Sequence, residues 1–185
     1  IDLIKEIREE FSANEITIRV DANGAFQPDE ALEKLKTLSQ LGIHSIEQPI
    51  KQGNEDTMAI LCEKSPLAIA LDEELIGLRN FSQKKILLNQ IKPQYIILKP
   101  TLLGGFEETR QWINIAENMG IGWWITSALE SNIGLNAIAQ FTSILKNDLP
   151  HGLGTGNLYL NNIGSPLFVE GGYLGYNPGI SWNPV

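Results

Sequence analysis

The sequence predicts an α/β fold consisting of the last six βα units of a (β/α)₈ barrel. Short apolar runs alternate along the chain with longer amphipathic runs of helical period. The residues that end the apolar runs recur every 25 to 28 positions. This interval is typical of parallel strands joined by right-handed helical crossovers. The residues in question are Asp21, Glu47, Asp72, Lys99, Ser127 and about Gly154.

The first residues predict a helix with no strand before it. In "IDLIKEIREEF" the apolar residues Ile4, Ile7 and Phe11 recur at helical spacing. The next stretch, "EITIRVDANG", alternates apolar and polar residues and predicts a strand that ends at Asp21. The helix after it, "PDEALEKLKTLSQLG", has a proline near its start and closes on Gly42.

Four further strands follow, each succeeded by a helical pattern. They are "IHSIEQP", "LAIALDEE", "YIILK" and "GWWITSALES". We expect their helices around Asp56–Lys64, Phe81–Ile91, 106–120 and Ile133–Lys146, and "HGLGTGN" predicts a short sixth strand or turn. In the fifth strand, alternation predicts that one of its two tryptophans faces the barrel interior and the other the opposite side.

Two architectures satisfy this pattern, a closed barrel and an open doubly wound sheet. Six βα units are visible, whereas a closed barrel needs eight. The first helix has no strand before it, which is expected if the chain begins between a barrel strand and its helix. We therefore predict barrel strands 3–8 within residues 1–160 and an irregular tail over residues 161–185 that packs on the barrel. The first two units, and any targeting segment, are expected upstream of Ile1.

Composition and charge exclude several classes of function. The net charge is -8 and no basic stretch is present, which argues against binding nucleic acid. No apolar run approaches the roughly 20 residues of a membrane span, and no secretory signal is recognisable. The lone Cys62 cannot form an internal disulfide, so the sequence predicts a protein of a reducing compartment, the cytoplasm.

Three carboxylates end adjacent predicted strands at the C-terminal face of the barrel, where barrel active sites lie. Asp21, Glu47 and Asp72 would repel one another there, and a divalent cation would remove the repulsion. Oxygen ligands without His or Cys favour a hard ion, which predicts Mg²⁺, with Mn²⁺ as its rival. Alternatively, each carboxylate caps a helix or a turn. Alternation lets only one of Asp72 and Glu73 point inward.

A lysine ends the fourth predicted strand, although desolvating its charge is costly. Facing a metal and carboxylates, Lys99 would be suited to move a proton, because burial lowers a lysine pKa and nearby anions raise it. We therefore predict that Lys99 is catalytic. The alternative is a plain salt bridge to Asp72 or Glu73.

Four motifs resemble the enolase superfamily and, within it, the muconate-lactonizing subgroup. They are "VDANGAF", "IEQP", "LDEE" and "LKPTLLGG", in this order and at the expected spacing. The stretches "TSALESNIGLNAIAQF" and "GLGTGNLYLNNIGSPL" are similar to the last two barrel strands and loops of that subgroup. The resemblance implies the same three Mg²⁺ ligands. It also implies that Asn23 and Glu73 orient those ligands, and that Lys99 is the lysine of the sixth barrel strand.

The activity that the resemblance implies begins with removal of a proton next to a carboxylate, which forms an enediolate. Within the subgroup, the chain is most similar to enzymes that dehydrate a cyclohexadiene carboxylate to o-succinylbenzoate in menaquinone biosynthesis. This implies a small-molecule carboxylate as substrate and leaves the oligomeric state open. A racemase of N-acylamino acids or a dipeptide epimerase are the alternatives within the superfamily, and a non-catalytic barrel fragment is the alternative outside it. Epimerases typically carry an Asp-x-Asp that "GTGNLYLNN" lacks.

The rest of the implied site would bind the substrate. Ser127 is placed to hydrogen-bond a carboxylate, and Gly154, Thr155 and Gly156 offer backbone N–H groups. A phosphate loop is disfavoured because Asn157 stands where G-x-G-x-x-G needs glycine. Alternatively, the glycines form a tight turn and the serine bonds its own backbone. The superfamily also has a Lys-x-Lys motif and a capping domain upstream, so the resemblance implies that these residues alone are inactive.

Overall fold

The computed structural model describes residues 1–183 and contains a five-stranded parallel sheet. The strands are β1 (Arg19–Asp21), β2 (Ser45–Glu47), β3 (Ala68–Leu71), β4 (Tyr95–Leu98) and β5 (Gly122–Ile125). The helices are α1 (Asp2–Glu10), α2 (Ala31–Ser39), α3 (Glu55–Lys64), α4 (Phe81–Ile91), α5 (Pro100–Leu103), α6 (Phe106–Asn118) and α7 (Asn132–Ser143). Over residues 1–183, no helix has the length and apolar character needed to cross a membrane.

The order of the strands distinguishes the two predicted architectures. A doubly wound sheet reverses its order at a switch point, whereas here the order is β1-β2-β3-β4-β5 and every neighbouring pair is parallel. After β5, a parallel bridge from Thr126 to Gly152 continues in the same direction. The sheet is therefore part of a barrel wall, which confirms the predicted fold class. The predicted sixth strand is reduced to this bridge and a 3₁₀ turn over Thr155–Asn157.

The two faces of the sheet bury different sets of side chains. Trp123 belongs to the large hydrophobic core shared with the helices. Trp124 belongs to a small separate cluster with Ala70 and Ile97 in the barrel interior. This confirms the predicted opposite orientation of the two tryptophans, because successive side chains of a strand alternate between faces. The guanidinium of Arg19 lies 3.9 Å from the ring centre of Trp124.

The sequence predicts an irregular tail over residues 161–185, and the structure corrects part of this prediction. β6 (Leu167–Glu170) and β7 (Tyr173–Tyr176) form an antiparallel hairpin. Gly171 and Gly172 join the strands with positive φ at both positions, the conformation that makes glycine favourable in a two-residue hairpin loop. Leu167 and Leu174 pack against the main core. Residues 184–185 of the predicted tail lie outside the described residues.

A buried ion pair joins α4 to α6 in the helical layer. Lys84 is fully buried, and its Nζ donates to a carboxylate oxygen of Glu108 and to Oε1 of Gln111 at 3.1 Å. A buried charge is tolerated when it has such partners, whereas loss of one partner leaves the other uncompensated. Lys84 therefore contributes to helix packing and is not among the residues that end the strands.

Two histidines are held neutral inside the fold. Burial, and secondarily the charge of Arg19, lowers the pKa of both His44 and His151. Nδ1 of His151 accepts a hydrogen bond from the backbone N–H of Ile125 at 3.0 Å, which requires a ring nitrogen without a proton. Because both pKa values are lower in the folded state than in the unfolded chain, stability is lost as the pH falls below about 6.5.

The melting temperature is therefore expected to fall as the pH is lowered from about 7.5 to about 5.5, and to fall less in His151→Asn. Asparagine retains an acceptor for the N–H of Ile125 but takes up no proton in this range. Circular-dichroism melts at the two pH values measure the difference. An equal loss in wild type and variant would show that His151 is not a source of the acid sensitivity.

Candidate active site

The parallel register brings the predicted site residues to one end of the sheet. Asp21 is the register partner of Glu47, and Glu47 is the partner of Ala70. Asp72 directly follows β3, and Lys99 directly follows β4. Because parallel strands point the same way, their C-terminal ends place these side chains at one rim of the barrel.

Lys99 lies between two of the carboxylates. Its Nζ donates to Oε1 of Glu47 at 3.3 Å and to Oδ2 of Asp72. The side chain of Asp72 is 4% exposed and that of Lys99 is 20% exposed, so the pair is largely shielded from water. The salt bridge to Asp72, which the sequence leaves as an alternative, is thus present. A catalytic role for Lys99 stays a prediction, since an ion pair is compatible with it.

Burial and neighbouring anions oppose ionisation of Glu47. Desolvation raises the pKa of Glu47 to about 8, the charge of Lys99 works against this rise, and the charges of Asp21 and Asp72 add to it. For Lys99, burial acts to lower the pKa, but the hydrogen bonds and charges of Asp72 and Glu47 raise it overall. Lys99 is therefore an ammonium at neutral pH. When Glu47 is protonated, the ammonium of Lys99 keeps its salt bridge to the carboxylate of Asp72.

The donor set suits a hard cation, but its side chains do not converge in this arrangement. Within residues 1–183, no three His, Cys, Asp or Glu side chains form a group that could hold a metal ion. Asp21 is exposed, and its Oδ1 accepts a hydrogen bond from the backbone N–H of Asn23 at 2.7 Å. Glu47 and Asp72 instead contact Lys99. The three-ligand metal site stays a prediction.

Comparison with known families identifies the family of this chain. The family described as "Enolase C-terminal domain-like" matches residues 1–183. The chain belongs to the enolase superfamily. The resemblance carried by the four sequence motifs is thereby confirmed, and the muconate-lactonizing subgroup is the part of the superfamily that it fits.

Relatives within the enolase superfamily match this chain over about half of their own length. A protein of Desulfotalea psychrophila named o-succinylbenzoate synthase is 60% identical over 173 residues, which cover 94% of this chain and 47% of that protein. The crystal structure of MenC from the same organism has a TM-score of 0.91 at 60% identity, and the match covers 94% of this chain and 49% of that chain. An N-succinylamino acid racemase of Amycolatopsis sp is 27% identical over 188 residues, covering 100% of this chain and 50% of that protein.

The motif resemblance alone predicts that Asn23 and Glu73 orient the metal ligands. Asn23 contacts Asp21 through its backbone N–H, and its φ of 45° lies in the left-handed region that asparagine tolerates. Oε2 of Glu73 is buried and has no hydrogen-bond partner within residues 1–183. Burial raises the pKa of Glu73, and the charges of Asp72 and Asp21 add to the rise. An orienting role for these two residues stays a prediction.

The predicted substrate-binding residues meet beyond β5. Ser127 is buried, and its Oγ lies 2.5 Å from Oγ1 of Thr155. A Cβ atom at position 156 would lie 2.6 Å from Oδ1 of Asn132, so a larger residue there would displace that side chain of α7. Gly154 has open space around it and an ordinary φ of -82°. The tight packing of Gly156 supports a structural role for that residue, and substrate binding by all four stays a prediction.

Two buried polar residues beside the superfamily's ligand positions are absent from the sequence prediction. Gln48 is 1% exposed and Glu74 is 7% exposed, and Nε2 of Gln48 donates to Oε2 of Glu74 at 2.9 Å. Their signal in the sequence is position alone, since Gln48 follows Glu47 in "IEQP" and Glu74 ends "LDEE". Nothing in those letters distinguishes a buried polar side chain from one exposed on a loop.

Proposed function

We propose that the protein carrying this chain is a Mg²⁺-dependent lyase that dehydrates a cyclohexadiene carboxylate to o-succinylbenzoate through an enediolate. The observation that carries the proposal is the ammonium of Lys99 beside Asp72 and Glu47 at the strand ends, in a chain whose Desulfotalea relative is named o-succinylbenzoate synthase. A small carboxylate substrate, a cytoplasmic location and a step in menaquinone biosynthesis belong to the same proposal. The single cysteine supports the reducing compartment.

Asp21, Glu47 and Asp72 are the residues that would hold the Mg²⁺. All three offer carboxylate oxygens, the donors that Mg²⁺ and Mn²⁺ prefer. A cation would also relieve the unfavourable burial that raises the pKa of Glu47. Asp21 is exposed and its side chain is free to bind a cation, because its hydrogen bond within residues 1–183 is a single one from the backbone of Asn23. When bound, the metal would supply stabilisation of the negative charge that develops on the substrate carboxylate.

Lys99 would act on the substrate as a cation. Because contacts with Asp72 and Glu47 raise its pKa, Nζ carries its proton at neutral pH and cannot itself begin the reaction as a base. Its charge is placed to stabilise an enediolate forming at the rim. The base would be the lysine of the upstream Lys-x-Lys motif that the resemblance implies. That lysine would take the proton next to the carboxylate and return it to the departing β-hydroxyl, which leaves as water.

A racemase of N-acylamino acids is the second candidate from the same chemistry. Its support is the similarity to the Amycolatopsis protein, at 27% identity over the whole chain. A racemase would begin with the same proton abstraction, and the ammonium of Lys99 would deliver a proton to the opposite face of the enediolate. A dipeptide epimerase is less favoured, because the stretch "GTGNLYLNN" lacks the Asp-x-Asp typical of that activity. A non-catalytic barrel is disfavoured by the presence of all four charged residues at the strand ends.

Chelation provides the direct test of the metal requirement. The protein at its full natural length is expected to dehydrate the cyclohexadiene carboxylate, to lose at least about 100-fold in rate with EDTA, and to recover with Mg²⁺. The rate of product formation by ultraviolet absorbance measures the effect, and addition of Mg²⁺ already complexed with EDTA is the control. Undiminished turnover after chelation would refute the metal requirement. Racemisation of an N-succinylamino acid without dehydration would favour the second candidate.

A further inference from the structure

The side chain of Gln48 connects the segments that follow β2 and β3, which carry the proposed metal ligands Glu47 and Asp72. Its Oε1 accepts from the backbone N–H of Asp72 at 3.2 Å and from that of Glu74 at 3.4 Å. Its Nε2 donates to the carbonyl of Ile50 at 3.0 Å and to Oε2 of Glu74 at 2.9 Å. Both donors and both acceptor sites of the carboxamide are thus used, a full set of bonds for a side chain that is 1% exposed.

The backbone of Gln48 extends the same connection to the third loop. Its carbonyl accepts from the N–H of Gly24 at 2.7 Å, in the loop that follows Asp21, and its N–H donates to the carbonyl of Ala70 at 2.9 Å. Gln48 has a φ of 35°, in the left-handed region that non-glycine residues rarely adopt. Such a conformation persists only where surrounding contacts hold it. One residue therefore links the segments that carry Asp21, Glu47 and Asp72.

Glu74 fixes the position of the carboxamide from the other side. Its Oε2 accepts from Gln48, and its Oε1 accepts from the backbone N–H of Gly53 at 2.8 Å. Both oxygens therefore have donors, although the residue is 7% exposed. Hydrogen bonds to a buried carboxylate are stronger than those between neutral groups. Glu74 thus fixes the orientation of the Gln48 carboxamide. Because Nε2 donates to Glu74, Oε1 is the atom that accepts from the N–H of Asp72.

We infer that Gln48 and Glu74 are positioning residues that set the spacing between Glu47 and Asp72 for cation binding. The inference rests on the proposed metal-dependent function and assigns no contact with the metal or the substrate to either residue. The physical reason is that Gln48 adjoins Glu47 in the chain while it binds the N–H of Asp72. Loss of the carboxamide would release one ligand segment relative to the other, and outer contacts of this kind change metal affinity by about 10- to 100-fold.

The test compares Gln48→Met with Lys84→Met in the protein at its full natural length. Methionine keeps the length of the side chain and removes all four hydrogen bonds of Gln48. Lys84→Met removes an equally buried polar group in the helical layer, where Lys84 contacts Glu108. The readouts are the Mg²⁺ dissociation constant from titration calorimetry and the melting temperature in EDTA. Gln48→Met is expected to weaken Mg²⁺ binding by about 10- to 100-fold. Lys84→Met is expected to lower the melting temperature and leave the affinity unchanged.

A second variant covers the case in which Gln48→Met does not fold. Glu74→Gln keeps the shape of the side chain but replaces one of its two acceptor oxygens with an NH₂ group, so either Nε2 of Gln48 or the N–H of Gly53 loses its acceptor. This variant is expected to weaken Mg²⁺ binding by about 10-fold. Wild-type affinity in the folded variant would overturn the inference. A wild-type protein that binds no Mg²⁺ would overturn the proposed function together with the inference. Weakened binding in Asp72→Asn but not in the Gln48 and Glu74 variants would overturn the inference alone.

Discussion

Replacing Lys99 with alanine is expected to lower kcat by at least about 100-fold without weakening Mg²⁺ binding. The ammonium lies against Asp72 and Glu47, so the variant removes the positive charge proposed to stabilise the enediolate. Metal affinity is expected to stay the same or to rise, because in this arrangement the ammonium contacts the same carboxylates as the proposed cation. Steady-state kinetics and titration calorimetry on the same preparation measure the two effects separately.

Lys34→Ala is the matched control for the loss of a lysine. Lys34 pairs with Glu30 on the exposed side of a helix, where both side chains are more than 40% exposed. An exposed pair of this kind contributes little to stability, so turnover and metal affinity are expected to remain at wild-type values. Near wild-type turnover in Lys99→Ala would instead mean that Lys99 serves only as a structural ion-pair partner.

Asp72→Asn is expected to weaken Mg²⁺ binding at least about tenfold more than Glu73→Gln, because metal ligands need the charged oxygen that the amide lacks. Asp72 is buried at the strand end and forms a salt bridge with Lys99, whereas Glu73 begins the 3₁₀ turn that follows and, within residues 1–183, forms no salt bridge with Lys99. The dissociation constants of both variants measure the difference.

The two substitutions control for each other, because each removes one negative charge from neighbouring positions in "LDEE". A general loss of negative potential at the rim would therefore weaken binding by similar factors in both. Stronger weakening in Glu73→Gln than in Asp72→Asn would move the proposed ligand by one residue along the chain. Melting temperatures in EDTA separate either effect from a loss of folded protein.

The alternation of strands and helices was predictable because it depends on local pattern. The helix Phe81–Ile91 appears at its predicted bounds, and the opposite orientation of Trp123 and Trp124 follows from the strand period of two. The short strand Arg19–Asp21 was predicted to begin earlier, at Ile16. Pairing partners decide where a strand begins, and Ile16 is exposed, so nothing holds it in the sheet. The sequence does not predict the hairpin in the tail. Most side chains of its two strands are exposed, so the strands have no buried apolar face that an alternating pattern would indicate.

The candidate site was predictable only as a set of positions. Strand ends placed Glu47, Asp72 and Lys99 together because every strand is parallel, and the motif resemblance named the same residues. The contacts between them depend on rotamers and burial, which no spacing in the sequence contains. Gln48 and Glu74 illustrate this, since both lie in the predicted strand stretches "IHSIEQP" and "LAIALDEE" without a predicted role, and the structure buries both side chains.

The sequence by itself determined the fold class, the parallel order of the units and the membership of the enolase superfamily, because these depend on periodicity and on short motifs. Only the tertiary structure decided that Lys99 forms salt bridges with Asp72 and Glu47, and that the side chain of Gln48 connects the segments that follow β2 and β3. The physical reason is that side-chain contacts between residues 24 or more positions apart form only once the strands are packed. Desolvation then determines which charges must be paired.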